Sequence, residues 1–74
     1  MEELLTEFRQ RLEQAKGSLL ETTYQIIVEE LQADRDLLTI KNRLHVLELG
    51  SFDEKKRQAL SEARHKLERL MWHR

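Results

Sequence analysis

Only two residues in this chain can end a helix at little cost, Gly17 and Gly50, and it contains no proline. Between these points the sequence is rich in Leu, Glu, Arg, Ala, Lys and Gln, the side chains that lose least rotamer freedom in a helix. An all-α fold is therefore expected before any periodicity is read. At 74 residues the chain makes one module, 1–74, and chains of this size bury only about 60% of their unfolded surface. Small folds offset that deficit with disulfides, a metal, regular helix packing or association. The chain has no cysteine, so disulfides and thiolate metal sites are excluded and the last two remain.

The segment Leu49-Gly50-Ser51-Phe52-Asp53-Glu54 carries the clearest boundary. Gly50 suits a left-handed helix end, and Ser51 with Glu54 fits a capping box. Asp53 and Glu54 also place negative charge at the positive end of the following helix. Gly17, Ser18 and Glu21 repeat the pattern more weakly. Against a turn there, Met1, Leu5, Phe8, Leu12, Ala15, Leu19 and Ile26 hold a heptad-like register straight through Gly17. With the turn taken, two or three antiparallel helices are expected, over roughly 2–16, 19–49 and 52–73.

The middle segment carries two apolar stripes. Leu20, Tyr24, Ile27 and Leu31 form one at about 100° per residue, and Leu37, Ile40, Leu44 and Leu47 form another, rotated by more than a quarter turn. Either the helix breaks near Asp34–Asp36, or one long helix shows different faces to different neighbours. The second option accounts for both stripes through an open zigzag, a helical hairpin folding back at each end. In the last helix Phe52, Ala59, Leu60, Ala63, Leu67, Leu70 and Met71 form the expected inward stripe.

Such a zigzag leaves apolar residues in water, among them Leu19, Ile26, Val28, Leu38 and Val46. Large contiguous apolar patches are rare on monomers, so a homodimer completing a helical bundle is the expected remedy. Ile26, Leu38 and Val46 are the candidate contact residues. Trp72 and Arg69, of types enriched at interface hot spots, complete the set, although Trp72 folding back onto the core is an equal alternative.

Charge adds little. Residues 1–34 carry eight acids and three bases, a net −5, residues 35–51 are +1 and residues 52–74 are +3. The basic run Lys55-Lys56-Arg57 with Arg64, Lys66, Arg69 and Arg74 suggests nucleic acid, but a pI of about 6.3 is low for a dedicated binder, and no aromatic platform accompanies it. No segment approaches the roughly 20 apolar residues of a membrane span. Met1-Glu2-Glu3 is acidic where a signal peptide is basic, so a cytoplasmic location is expected.

Catalysis and metal binding find no support. Ser18 and Ser51 read as caps, and no glycine-rich loop follows a strand. Glu62-x-x-His65 has the spacing of carboxylate-bridged dimetal sites, yet both residues fall on the solvent side of the last helix. His45, His65 and His73 have no mutual i, i+3 or i, i+4 spacing. No cofactor is expected. The stretch Leu47-Glu48-Leu49-Gly50 and the helix after it resembles, in outline, the small co-chaperones of type III secretion needle subunits, over less than half of the chain. Any capped hairpin gives that match, so no family is assigned on it. The expected function is a non-enzymatic protein-binding module: an adaptor, inhibitor or regulator acting through an apolar helix face. The alternatives are a self-assembling subunit or secretion-type co-chaperone and, with less support, a nucleic-acid-associated regulator.

Overall fold

In the computed structural model the described residues are 2–33 and 35–72. Met1, Asp34, His73 and Arg74, each invoked above, lie outside them. Four α-helices and no strand are found among the described residues: α1 (Glu2–Gln14), α2 (Glu21–Gln32), α3 (Leu37–Leu49) and α4 (Glu54–Trp72).

The first helix begins with Glu2 and Glu3 in the turn where the helix dipole favours anions. It stops at Gln14, two residues short of the expected 16. The chain then turns at Gly17, whose φ of 81° is the only positive value among the described residues. Ser18 N–H donates to the Ala15 carbonyl at 2.8 Å. The Glu21 carboxylate accepts from Gly17 N–H at 3.2 Å, and the Ser18 hydroxyl accepts from Leu20 N–H at 3.2 Å. The weaker of the two boundary signals thus marks a true turn, with its capping contacts displaced by one residue from an ideal box.

The expected single helix over 19–49 is two helices. Asp36 adopts an extended conformation (φ −74°, ψ 159°), and its carboxylate accepts from the Thr39 N–H at 2.7 Å and the Thr39 hydroxyl at 3.0 Å. A side-chain acceptor at this position replaces the missing intrahelical partner of an early N–H, so a new helix starts without glycine or proline. The Thr39 N–H bond also holds the Asp36 carboxyl below its ordinary range. The rotated second stripe follows directly, because α3 starts afresh instead of continuing the axis of α2.

At the second boundary the expected capping details are corrected. Gly50 has φ −86° and ψ −2°, right-handed and not left-handed. Ser51 does not cap either; its hydroxyl donates to the Asp53 carbonyl at 3.4 Å. The cap is Asp53, whose carboxylate accepts from the N–H groups of Lys55 at 2.8 Å and Lys56 at 3.2 Å. A full negative charge at the helix start outcompetes a hydroxyl for those donors. Glu54 is therefore the first helical residue, not the far end of a box.

The two glycines should respond oppositely to alanine. Gly17→Ala forces a Cβ into left-handed backbone and should lower stability by about 1–2 kcal/mol. At Gly50 an added Cβ meets only the Val46 carbonyl at 3.5 Å and the Leu47 carbonyl at 3.9 Å, ordinary contacts. Gly50→Ala should therefore be neutral or raise stability by up to about 1 kcal/mol. Urea titration of the two variants side by side checks the pair.

Helix α1 packs on α2 and α3 on α4, while α2 also touches α4 and α3. Phe8, Ile27, Ile40, Leu44 and Leu67 are fully buried, so all four helices feed one cluster. Val28, left over in the sequence pattern, is also buried there. The open zigzag fails at this point, since its long central helix is divided and its two halves share a core. The radius of gyration of 11.5 Å agrees with the roughly 11 Å of a closed domain this long.

Candidate functional site

The orientation of α3 decides what the molecule presents outward. Ile40 and Leu44 are buried, with Leu37 and Leu47 packed beside them. On the flank toward α4, Arg64 Nε donates to Glu48 at 3.0 Å. On the flank toward α2, the Arg43 guanidinium lies 3.5 Å from Glu30. With both flanks held, steps of 100° turn Leu38, Asn42, His45 and Leu49 to the side opposite the core. Leu38 is 51% exposed, Val46 60% and Leu49 73%, and Phe52, beyond the end of α3, is fully exposed at 103%.

One end of this face is bordered by the end of α4. Lys41, Glu68, Met71 and Trp72 line a shallow cleft of about 390 Å³. Leu37, Leu38 and Met71 line an adjoining one of about 200 Å³ with Asp36. Trp72, 85% exposed, therefore stands near Leu38, while Leu49 and Phe52 lie at the opposite end. The surface reads as two apolar ends separated by Asn42 and His45.

The other side of α4 is engaged with α1. Arg11 contacts Glu62 at 2.7 Å and Glu7 at 2.8 Å, and Lys66 contacts Glu7 and lies 3.5 Å from Glu62. The cations of Arg11 and Lys66 lie 5.2 and 5.5 Å from the centre of the Phe8 ring. The hydrogen bond from Lys66 holds the Glu7 carboxyl below its ordinary range, with partial burial working in the other direction. Because the folded state lowers this pKa, the stability it contributes is present above the unfolded value of about 4.3. That contribution is lost as pH falls through the lower folded value. Glu7→Gln should thus lower the urea midpoint more at neutral than at acid pH, the difference closing as pH falls through the lowered folded value. Equal losses at both pH values would contradict this role.

The expected site residues separate. Leu38 and Trp72 are brought to one end of the α3 face, and Val46 lies on the same helix toward α2. Ile26 is half-buried and borders a small cleft with Thr23, Leu47, Lys56 and Leu60. Arg69 opens toward Glu3, Glu7 and Leu70, on the α1 side. Leu49 and Phe52 were not among the expected contacts, although Leu38 and Leu49 have the i, i+11 spacing of one helix face. Phe52 was assigned to an inward stripe that holds only for Ala59, Leu60, Ala63 and Leu67, all buried; Leu70 is partly exposed.

The residues with chemical potential are occupied locally. The His65 ring nitrogen contacts the Ser61 carbonyl at 2.8 Å, and Glu62 is tied to Arg11, so the Glu-x-x-His spacing does not converge. His45 is exposed, 3.8 Å from the Glu48 carboxylate. Among the described residues no three metal-binding side chains cluster, and no helix is long and apolar enough to cross a membrane. Comparison with family models, curated proteins and solved structures finds no match.

Proposed function

We propose that this chain is a non-enzymatic, cytoplasmic protein-binding module whose contact face is the outer side of α3 with Phe52 and Trp72. The observation that carries this reading is the exposure of Leu38, Val46 and Leu49 on a helix whose orientation is fixed by its core, with Phe52 and Trp72 exposed beside its two ends. Fully burying one such side chain contributes about 1.5–3 kcal/mol, so covering several supports a specific complex. On this reading α1–α2 and α3–α4 are two helical hairpins, and the second presents the face. The nucleic-acid alternative draws less support, because Arg64 and Lys66 are already paired with Glu48, Glu68, Glu7 and Glu62.

The test is site-specific photo-crosslinking in the cells that make the protein. A photoreactive residue at position 49 should give discrete adducts, and one at the exposed Arg9 position on α1 should give none. Adducts of equal yield at both positions, or none at 49, would reject the face.

A further inference from the structure

The apolar residues of the outer face are arranged in an order that matches itself in reverse. Leu38 lies 5.5 positions before the midpoint of the Asn42–His45 pair and Leu49 5.5 positions after it, reading the residue numbers directly. A second copy turned end for end about an axis at that midpoint sets Leu38 opposite Leu49 and Asn42 opposite His45. We infer that α3 pairs antiparallel with α3 of a second copy, Leu49 and Phe52 of each seating against Leu38 and Trp72 of the other. The inference rests on the protein-binding reading above and names its partner.

Charge selects the antiparallel arrangement. Lys41 and Glu48 lie on the edge of α3 that faces α4. A two-fold axis perpendicular to the helix brings that edge against itself. Lys41 of one copy then falls about 3 Å along the axis from Glu48 of the other, at 1.5 Å per residue, and the contact occurs twice. Glu48 keeps its bond to Arg64 and still has carboxylate lone pairs to offer. The parallel alternative brings the opposite edges together and sets Lys41 beside Arg43 of the second copy, two cations in one place. It also aligns the two helix dipoles, whereas the antiparallel pair opposes them.

The available area fits a pair of this kind. Aromatic side chains contribute about 150–250 Å² each, and an exposed aliphatic roughly 60–120 Å², as its transfer free energy implies. Phe52 and Trp72 with Leu38, Val46 and Leu49 therefore supply on the order of 700 Å² per copy, near the roughly 800 Å² that a standard stable interface takes from each partner. The polar Asn42–His45 contacts at the centre fix the register, since sliding by one turn removes both the hydrogen-bonding partners and the Lys41–Glu48 pairs.

The chain has no cysteine, so introduced thiols report on their own. Leu38→Cys and Leu49→Cys proteins are purified, mixed and oxidised mildly, beside each protein alone. In the antiparallel pair the two positions face each other, while like positions are about 16 Å apart along the axis, beyond the Cα span of a disulfide, about 4.4–6.8 Å. The mixture should give a covalent dimer several-fold faster than either protein by itself. Equal rates in the separate proteins, or no covalent dimer with native helix content retained, would overturn the inference. If the mixture fails while position 49 still photo-crosslinks to other proteins, the self-pairing falls and the protein-binding reading stands. If both fail, both fall.

Discussion

Phe8→Ala is expected to remove a large part of the stability of the fold. Phe8 is fully buried in α1, its ring lies 6.2 Å from that of Tyr24 on α2, and it carries the cations of Arg11 and Lys66 above it. Truncating a buried phenylalanine costs about 3–5 kcal/mol, and a chain of this length has roughly 4–11 kcal/mol in total. The loss also undercuts the network joining α1 to α4, whose two cations rest on that ring. Circular dichroism across a urea series should show a midpoint far below that of the parent. A loss under about 1 kcal/mol would mean that α1 is not docked as described, since a buried aromatic cannot be removed so cheaply.

The second large effect separates the two sides of α3. Leu44 and Leu49 are the same residue type on one helix, but Leu44 is fully buried and Leu49 mostly exposed. Leu44→Ala should lower stability by about 2–5 kcal/mol through lost transfer energy and a cavity beside Ile40. Leu49→Ala should stay within about 0.5 kcal/mol of the parent in dilute solution. Reversed losses would show α3 rotated about its axis, and the proposed contact face would turn out to be core. Comparable losses at both sites would mean that the outer side of α3 already has a partner under the conditions of the measurement.

Much of the helical pattern was legible because it depends on local spacing. The stripes Leu20–Leu31 and Leu37–Leu47 needed only a period of 3.6 residues, and Ile27, Leu31, Ile40 and Leu44 among them are buried. The rotation between them was also visible, but its cause was misread. A start made by Asp36 with Thr39 carries no glycine or proline, and an aspartate in a helical stretch looks like any solvated carboxylate until its conformation is known. At the other boundary Ser51 and Glu54 matched a capping pattern, yet Asp53, two residues after Ser51, took the donors. That shift of the helix start to Glu54 moved Phe52 from an expected core position to the surface. The pairs Glu7–Arg11 and Glu62–Lys66 were readable as i, i+4 neighbours, whereas the cross-linking of the two pairs over Phe8 depends on tertiary packing. Nothing in the two stripes marks Leu49, because the side of α3 that faces outward is set by its packing between α2 and α4.

The most direct test of the proposed contact face joins folding and binding in one protein. Leu49→Asp/Phe52→Asp places two carboxylates on the outer face while leaving every fully buried side chain in place. A photoreactive residue at position 38 in this background reports binding, and its urea midpoint reports folding. The midpoint should stay close to that of the protein with the reporter alone, and its adducts should be lost. Adducts that persist at full yield, or a chain that unfolds when these two exposed residues are charged, would contradict it.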